Sequence, residues 1–239
     1  MFRNYFKTAW RNLLKNKAYS AINVFGLAAG MTVTLLIGLW VYHQYSYDKF
    51  LPDHDRLYRV QRNFNSNGDT LTFRTSSLRL ADALRSGYDE IEAVAESDWM
   101  GAHGLMVGEK KIYQRGGMVG TEFLKMFGFT LLKGNAGTVL NDPYSIVLTE
   151  SIAKALFGNE DPLNKMVRID NKNDLKVTGI LKDIPSNSTL QFKYLVPFSY
   201  KELSSPRGKL DHSSFDNNAF QVFVKLKKDI PYTQLAPKI

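Results

Sequence analysis

An unbroken run of uncharged residues is the strongest constraint on this chain. From Ala18 to Tyr47 no residue carries a formal charge, and within Ala21–Tyr42 only Asn23 and two threonines are clearly polar. A helix of that inner segment would be roughly 33 Å long, enough to cross a hydrocarbon core of about 30 Å. A buried helix of a soluble protein and a cleaved signal peptide are the alternatives. The apolar run continues past the small residues at 26–30, so we predict an uncleaved transmembrane helix with flanks over residues 18–47.

The flanks of this run predict its orientation. Five basic residues and no acid precede it, and the first carboxylate of the chain is Asp48. Because positive residues stay on the cytoplasmic side, the N-terminus is expected in the cytoplasm and everything after about residue 48 outside it. Aromatic side chains at the outer end, which suit a membrane interface, are Trp40, Tyr42, Tyr45 and Tyr47.

Small residues recur every four positions along the same run, at Gly26, Gly30, Thr34 and Gly38. At helical spacing they share one face and would let another helix approach closely, which favours packing between helices in lipid. The alternative is that glycine is simply common in membrane helices. We predict a helix-packing face.

The first 17 residues combine two stripes at helical spacing. The apolar stripe consists of Phe2, Phe6, Trp10 and Leu14, and the basic stripe beside it of Arg3, Lys7, Arg11 and Lys15. This pattern predicts an amphipathic helix over residues 1–17 that lies on the anionic inner face of a membrane, with lipid as its partner. A cytoplasmic helix packed on another protein is the alternative.

Residues 48–239 have the pattern of an α+β domain in which strands and helices mix without the regular spacing of a doubly wound sheet. Alternating residues predict strands at 57–64 and 219–226, and apolar residues at helical spacing predict a helix at 77–86. Thr149 is a predicted N-cap, residues 166–169 and 175–181 a predicted hairpin, and Gly116-Gly117 a predicted turn.

The sequence contains none of the common catalytic patterns. The chain has no cysteine, no phosphate-binding loop and no paired histidines, so we predict no catalytic residue, no metal site and no cofactor. The net charge of +8 comes mostly from the first 17 residues. This placement argues against a nucleic-acid partner.

Five motifs, in order along the chain, resemble permease subunits of the MacB/FtsX class of ABC transporters. They are the segments 11–17 with 23–30, Phe50 with 55–60, 148–165, 177–185, and 187–198. The resemblance implies a bacterial inner-membrane subunit with four transmembrane helices and a periplasmic core domain between the first and the second.

The resemblance also implies partners: a cytoplasmic ATPase subunit that hydrolyses ATP, a second permease protomer, and a periplasmic adaptor or outer-membrane factor. In this family closure of the dimer moves the periplasmic domain without passing substrate through a channel in the bilayer. The chain stops near residue 239, so we expect an N-terminal part with an incomplete core domain. A periplasmic sensor or scaffold that signals by dimerisation is the alternative function, and a tethered hydrolase is disfavoured by the missing catalytic patterns.

Overall fold

The computed structural model describes residues 2–205 and 212–238, and these divide into two units between Tyr47 and Asp48. The first unit consists of helices α1 (Phe2–Lys15) and α2 (Lys17–Tyr45). All side chains of α2 that the structure describes are exposed except Ser20, which is half-buried. Such a helix needs an apolar environment that the single chain does not supply.

The second unit confirms the α+β prediction. Its helices are α3 (Leu78–Gly87), α4 (Phe123–Phe127), α5 (Glu150–Phe157), α6 (Phe198–Ser204) and α7 (Tyr232–Leu235). Its strands are β1 (Leu57–Arg59), β2 (Arg62–Ser66), β3 (Asp69–Phe73), β4 (Ile91–Ser97), β5 (Ala102–Val107), β6 (Lys110–Val119), β7 (Leu131–Lys133), β8 (Ser145–Thr149), β9 (Met166–Ile169), β10 (Asn173–Leu181), β11 (Tyr194–Pro197) and β12 (Gln221–Leu226).

Six of these strands close into a ring. They pair in the order β6, β11, β8, β10, β9 and β5, and β5 pairs back onto β6. A buried cluster draws residues from five of these strands and from α5, whose Ile152 and Leu156 are buried, and the half-buried Ile112 and Met118 of β6 pack against it. The ring therefore encloses a packed core, to which α5 contributes apolar side chains.

Beyond the ring, the sheet continues from β6 through β4 and β12 to β1. The amphipathic helix α3 packs against β4 and β12, as the spacing of its leucines predicts. On the other face lies an aromatic cluster composed of Phe123, Phe127, Phe129, Phe192 and Phe223. This cluster joins α4, β12 and the loop before β11.

Two predictions of local structure are wrong. Gly116-Gly117 is not a turn but part of β6. The strand pairs with β5 up to Arg115 and with β11 from Gly116 onward. A Cβ at Gly116 would lie 2.5 Å from two ring carbons of Tyr194, so the glycine is needed for close approach rather than for a turn. The predicted strand at 57–64 is two strands, because the chain leaves β12 after Val60 and enters the separate β2–β3 hairpin.

Candidate functional site: the segment that follows the apolar helix

Helix α2 is long and apolar enough to cross a membrane, judged by its length and composition. A Cβ at Gly26, Gly30 or Gly38 would meet nothing within 4 Å, so this face is open in the single chain. The Thr34 hydroxyl donates to the Gly30 carbonyl at 2.9 Å, which satisfies its hydrogen-bonding group inside the helix. The packing role of this face stays a prediction.

Helix α1 exposes most residues of the predicted interfacial stripe, while the side chain of Phe2 lies outside the described part of the chain. Phe6 is 75% exposed and Trp10 57%, which leaves large apolar side chains uncovered in the single chain. Leu14 and the four basic residues of the stripe are exposed as well. The structure is therefore compatible with attachment of α1 to a surface, and the nature of that surface stays a prediction.

The segment Asp48–Arg56, called the junction segment below, begins three residues after the end of α2. Its first residue, Asp48, is bound to a loop that is distant in sequence. The Asp48 carboxylate accepts hydrogen bonds from the Thr189 backbone N–H at 2.8 Å, from the Ser188 hydroxyl at 3.2 Å and from the Thr189 hydroxyl. The Asp48 backbone N–H donates to the Asn187 carbonyl at 2.9 Å. Both backbone and side chain of one residue are thus held by residues 187–189.

The middle of the junction segment is held by apolar contacts. Leu51 is 5% exposed and lies in the same buried core as the aromatic cluster. The Phe50 ring lies 6.4 Å from the Phe129 ring, centroid to centroid. Pro52 packs on Gly128, where a Cβ would come within 2.9 Å of the proline ring and where φ is +68°. Glycine is therefore required at 128 both by conformation and by contact.

Four charged groups hold the end of the junction segment. Arg56 contacts Asp53 at 2.8 Å and Glu92 at 2.6 Å, and Lys225 contacts the same two carboxylates at 2.8 and 3.2 Å. Arg56 also donates to the Leu226 carbonyl at 2.7 Å. The two cationic side chains are only 14% and 12% exposed. The network joins the junction segment to β4 and β12.

The pKa values of these groups shift in the directions that the contacts require. Hydrogen bonds from Lys225 and then Arg56 lower the pKa of Asp53 to about 2. The hydrogen bond from Arg56 is the main cause of the lowered pKa of Glu92. All four groups are therefore charged at neutral pH, and each carboxylate is shared by two cations.

A cleft of about 210 Å³ lies beside the junction segment. Its polar lining includes Asp48, His54, Arg59 and Thr189, and its apolar lining Leu51, Leu57, Phe127, Leu190 and Phe223. Among residues 2–205 and 212–238, no group of three histidine or acidic side chains is arranged to hold a metal ion.

Sequence reasoning missed this site as a site, although two of its segments carry resemblance motifs. The motif at 55–60 supplies Arg56 and Arg59, and the motif beginning at Asn187 supplies the loop that holds Asp48. Because Asp48 and residues 187–189 are far apart in sequence, their contact could not be predicted from it. The sequence did offer one signal, the presence of both motifs, because no local pattern in either motif explains why its residues occur there.

Comparison with known proteins assigns the fold. The family model described as the MacB-like periplasmic core domain matches residues 20–239. Among solved structures, a domain of a protein assigned as a permease from Porphyromonas gingivalis is similar with a TM-score of 0.66 and 21% identity, covering 79% of this chain and 82% of that one.

Two further structures are similar. The periplasmic region of MacB from Actinobacillus actinomycetemcomitans gives a TM-score of 0.55 and 22% identity, covering 77% of this chain and 80% of that one. The extracellular domain of the noncanonic ABC-type transporter YknZ from Gram-positive bacteria gives 0.53 and 16%, covering 76% and 87%. The comparison with curated proteins gives no match.

Proposed function

The chain belongs to the MacB-like periplasmic core domain family, as its motifs indicated, and from this premise we propose that it is the N-terminal part of an ABC-transporter permease subunit. In this proposal α2 anchors the subunit in the bacterial inner membrane. The N-terminus and α1 lie on the cytoplasmic side, and residues after about 48 lie in the periplasm. The basic excess before residue 18 supports this orientation.

The work of the subunit, in this proposal, is mechanical. A partner ATPase hydrolyses ATP in the cytoplasm, two permease protomers close on each other, and the movement of α2 displaces the periplasmic domain. The single observation that carries this proposal is the way in which Asp48 is held. Its carboxylate and backbone bind residues 187–189 only three residues beyond α2, so a displacement of the chain at Asp48 pulls directly on the folded domain.

The other fixed points of the junction segment support the same role. Leu51 is buried in the same core as the aromatic cluster, and Arg56 is bound to β4 through Glu92 and to β12 through the Leu226 carbonyl. A flexible linker would instead make few contacts with the folded domain. A short, held segment transmits displacement, whereas a flexible one absorbs it.

We further propose that the chain is not itself an enzyme and that lipid, the ATPase, a second protomer and a periplasmic adaptor or outer-membrane factor are its partners. No phosphate-binding loop occurs in its sequence. ATP hydrolysis therefore belongs to the partner subunit.

Two measurements test the anchoring and the partner. Alkaline phosphatase fused to the C-terminus of the chain should be active in a bacterial host, and a reporter that needs the cytoplasm should be silent at the same position. The reverse pattern contradicts the orientation. Purification of the tagged chain from its own membrane should recover a nucleotide-binding ATPase subunit, whereas recovery of a sensor kinase or an anti-sigma factor would support the sensor function instead.

The transmission role has a separate test, which the absence of native cysteine makes simple. Spin labels are placed at Gln44→Cys, in α2, and at Lys172→Cys, in the exposed turn between β9 and β10. The distance distribution should be narrow in the parent chain and broad after Asp48→Ala combined with Thr189→Val. Asp174→Ala, which removes an exposed ion pair with Arg168, is the control. Equal widths in all three proteins would contradict transmission through Asp48.

A further inference from the structure

Arg59 lines the cleft beside the junction segment, and among the residues that the structure describes it has no ion-pair partner. Within the same described ranges, its Nε atom is buried without a hydrogen-bond partner. Burial and the neighbouring charge of Arg74 both lower its pKa. A buried guanidinium N–H without an acceptor is costly, and an anion in the cleft would remove that cost if the Arg59 side chain turns this N–H toward it.

Among the described residues that line the cleft, Asp48 is the one acidic residue, and its oxygens are already engaged. One oxygen accepts from the Thr189 backbone N–H and the Ser188 hydroxyl, and the other from the Thr189 hydroxyl. These donors bind the carboxylate on the side of residues 188–189. Asp48 therefore raises the pKa of Arg59 only through space, without accepting from its Nε–H.

From this geometry we propose that the cleft binds a phosphate group of lipid-headgroup size, with the Arg59 guanidinium as its principal ligand. Arginine presents parallel N–H donors that match phosphate oxygens. The volume of about 210 Å³ lies below the range of about 300–1,000 Å³ typical of pockets for drug-sized molecules. The cleft therefore accepts a headgroup and not a whole amphiphile.

The lining indicates a lipid as the source of the phosphate. Leu57, Leu190 and Phe223 give the cleft an apolar wall that suits the carbon atoms next to the phosphate. Asp48 follows Tyr45, the last residue of α2, by three residues, so their Cα atoms are at most about 11 Å apart. This assignment of the source rests on the proposed membrane anchoring by α2, whereas the anion site itself does not.

The test uses the full chain in detergent without phosphate, with the arginine side chains labelled with ¹⁵N. Two probes are titrated separately: inorganic phosphate, and dihexanoylphosphatidylglycerol below its micelle concentration. The Arg59 Nε–H resonance, identified by its loss in Arg59→Gln, should shift with the lipid probe. Arg59→Gln should weaken binding, measured by calorimetry, by about tenfold or more, because one charge-assisted contact is lost.

Three variants sharpen the result. Arg62→Gln is the matched control, because the Arg62 Nε is also buried without a hydrogen-bond partner among the described residues, but Arg62 is not part of the cleft lining. Tyr232→Ala controls for the neighbouring cavity of about 290 Å³, which Arg59 also lines. Arg59→Lys keeps the charge but lacks the parallel N–H donors of arginine. It should bind with intermediate affinity, provided that circular dichroism shows an unchanged fold.

Each outcome is decisive. Tighter binding of the lipid probe, weakened only in the Arg59 variants, supports the site and its lipid source. Equal binding of both probes supports the site and assigns it to free phosphate. No shift with either probe, or an equal loss in Arg62→Gln or Tyr232→Ala, overturns the proposal. The topology reporters read the proposed function independently, so the failure of one is distinguishable from the failure of the other.

Discussion

The Asp48 carboxylate accepts hydrogen bonds from the backbone N–H and the hydroxyl of Thr189, a residue 141 positions further along the chain. We expect Asp48→Ala to lower the free energy of unfolding by about 1 kcal/mol, because the exposed Thr189 donors exchange this acceptor for water and the Ser188 hydroxyl keeps the Leu190 carbonyl at 3.1 Å. Urea unfolding measures this difference. Asp48→Asn keeps one side-chain acceptor oxygen and should lose less, so an equal loss in both variants would contradict the assignment.

The network around Asp53 should make stability depend on pH at the acid end. The folded-state pKa of Asp53 is about 2, below the ordinary value of 3.8. Its contribution is therefore fully present above about pH 4 and is lost as the pH falls through 2. The difference in urea midpoint between the parent chain and Asp53→Asn should shrink as the pH falls from about 4 to 2.

Salt provides the control for this pH prediction. Asp53 is exposed enough for mobile ions to screen its ion pairs, so the same difference should also shrink at 1 M sodium chloride. Asp216→Asn, which alters a carboxylate that accepts from the neutral Ser214 hydroxyl, should show little dependence on salt. A difference that is constant from pH 5 to pH 2 would exclude the ionic explanation.

Gly116 should not tolerate a methyl group. A Cβ there would collide with the carbonyl oxygen and the ring of Tyr194, so strands β6 and β11 would have to separate. Gly116→Ala should lower the free energy of unfolding by about 1–3 kcal/mol or more. Gly87→Ala, where a Cβ meets nothing within 4 Å, is the matched control and should be neutral or slightly stabilising. Thermal unfolding of both variants decides the matter.

The Gly26, Gly30, Thr34 and Gly38 face should be sensitive to bulk only when a second helix is present. Since a Cβ at Gly30 has open space around it, Gly30→Leu should leave the helicity of residues 18–47 unchanged. The same change should reduce self-association in a bacterial two-hybrid assay, because it keeps the backbones apart. Leu36→Ala, outside the small-residue face, should matter less, and equal signals from all three would reduce the glycines to ordinary membrane-helix composition.

Helix α1 should bind anionic vesicles through its apolar stripe. A peptide of residues 1–17 should gain helicity on vesicles that contain phosphatidylglycerol and lose it as salt rises. Phe6→Asp with Trp10→Asp should weaken binding by roughly a few kcal/mol, at about 25 cal/mol per Å² of apolar surface. Thr8→Ala, which changes a small side chain off the stripe, is the control. Circular dichroism that does not change with vesicles would contradict the prediction.

Local signals in the sequence were enough for several helices and turns. The helix predicted at 77–86 is α3 at 78–87, and Ser77 is its N-cap and accepts from the Leu80 N–H. Helix α5 follows Thr149 and ends before Gly158, and the β9–β10 hairpin turns through Asp170 and Asn171, both at positive φ. These features depend on residues a few positions apart, so a single sequence contains them.

The features that sequence reasoning missed depend on distant residues. The local sequence at Gly116 predicts a turn. The actual requirement for glycine there is the close approach of the Tyr194 backbone and ring, which lie in another strand. Lys225 carried no sign of its contact with Asp53, and Asp48 none of its contact with Thr189. A charged residue that is bound to a distant partner has the same local pattern as one that faces solvent.

The closed ring of strands also determines when the domain can fold. The end of β6 lacks one of its partners until β11 has formed, because Gly116 pairs with Tyr194. In the same way, β5 lacks a partner until Ile169 of β9 is available. A ribosome delivers the early strands first, and loop closure over such distances slows folding. Until residues 194–197 are in place, this part of β6 has an unpaired edge with which another chain can pair.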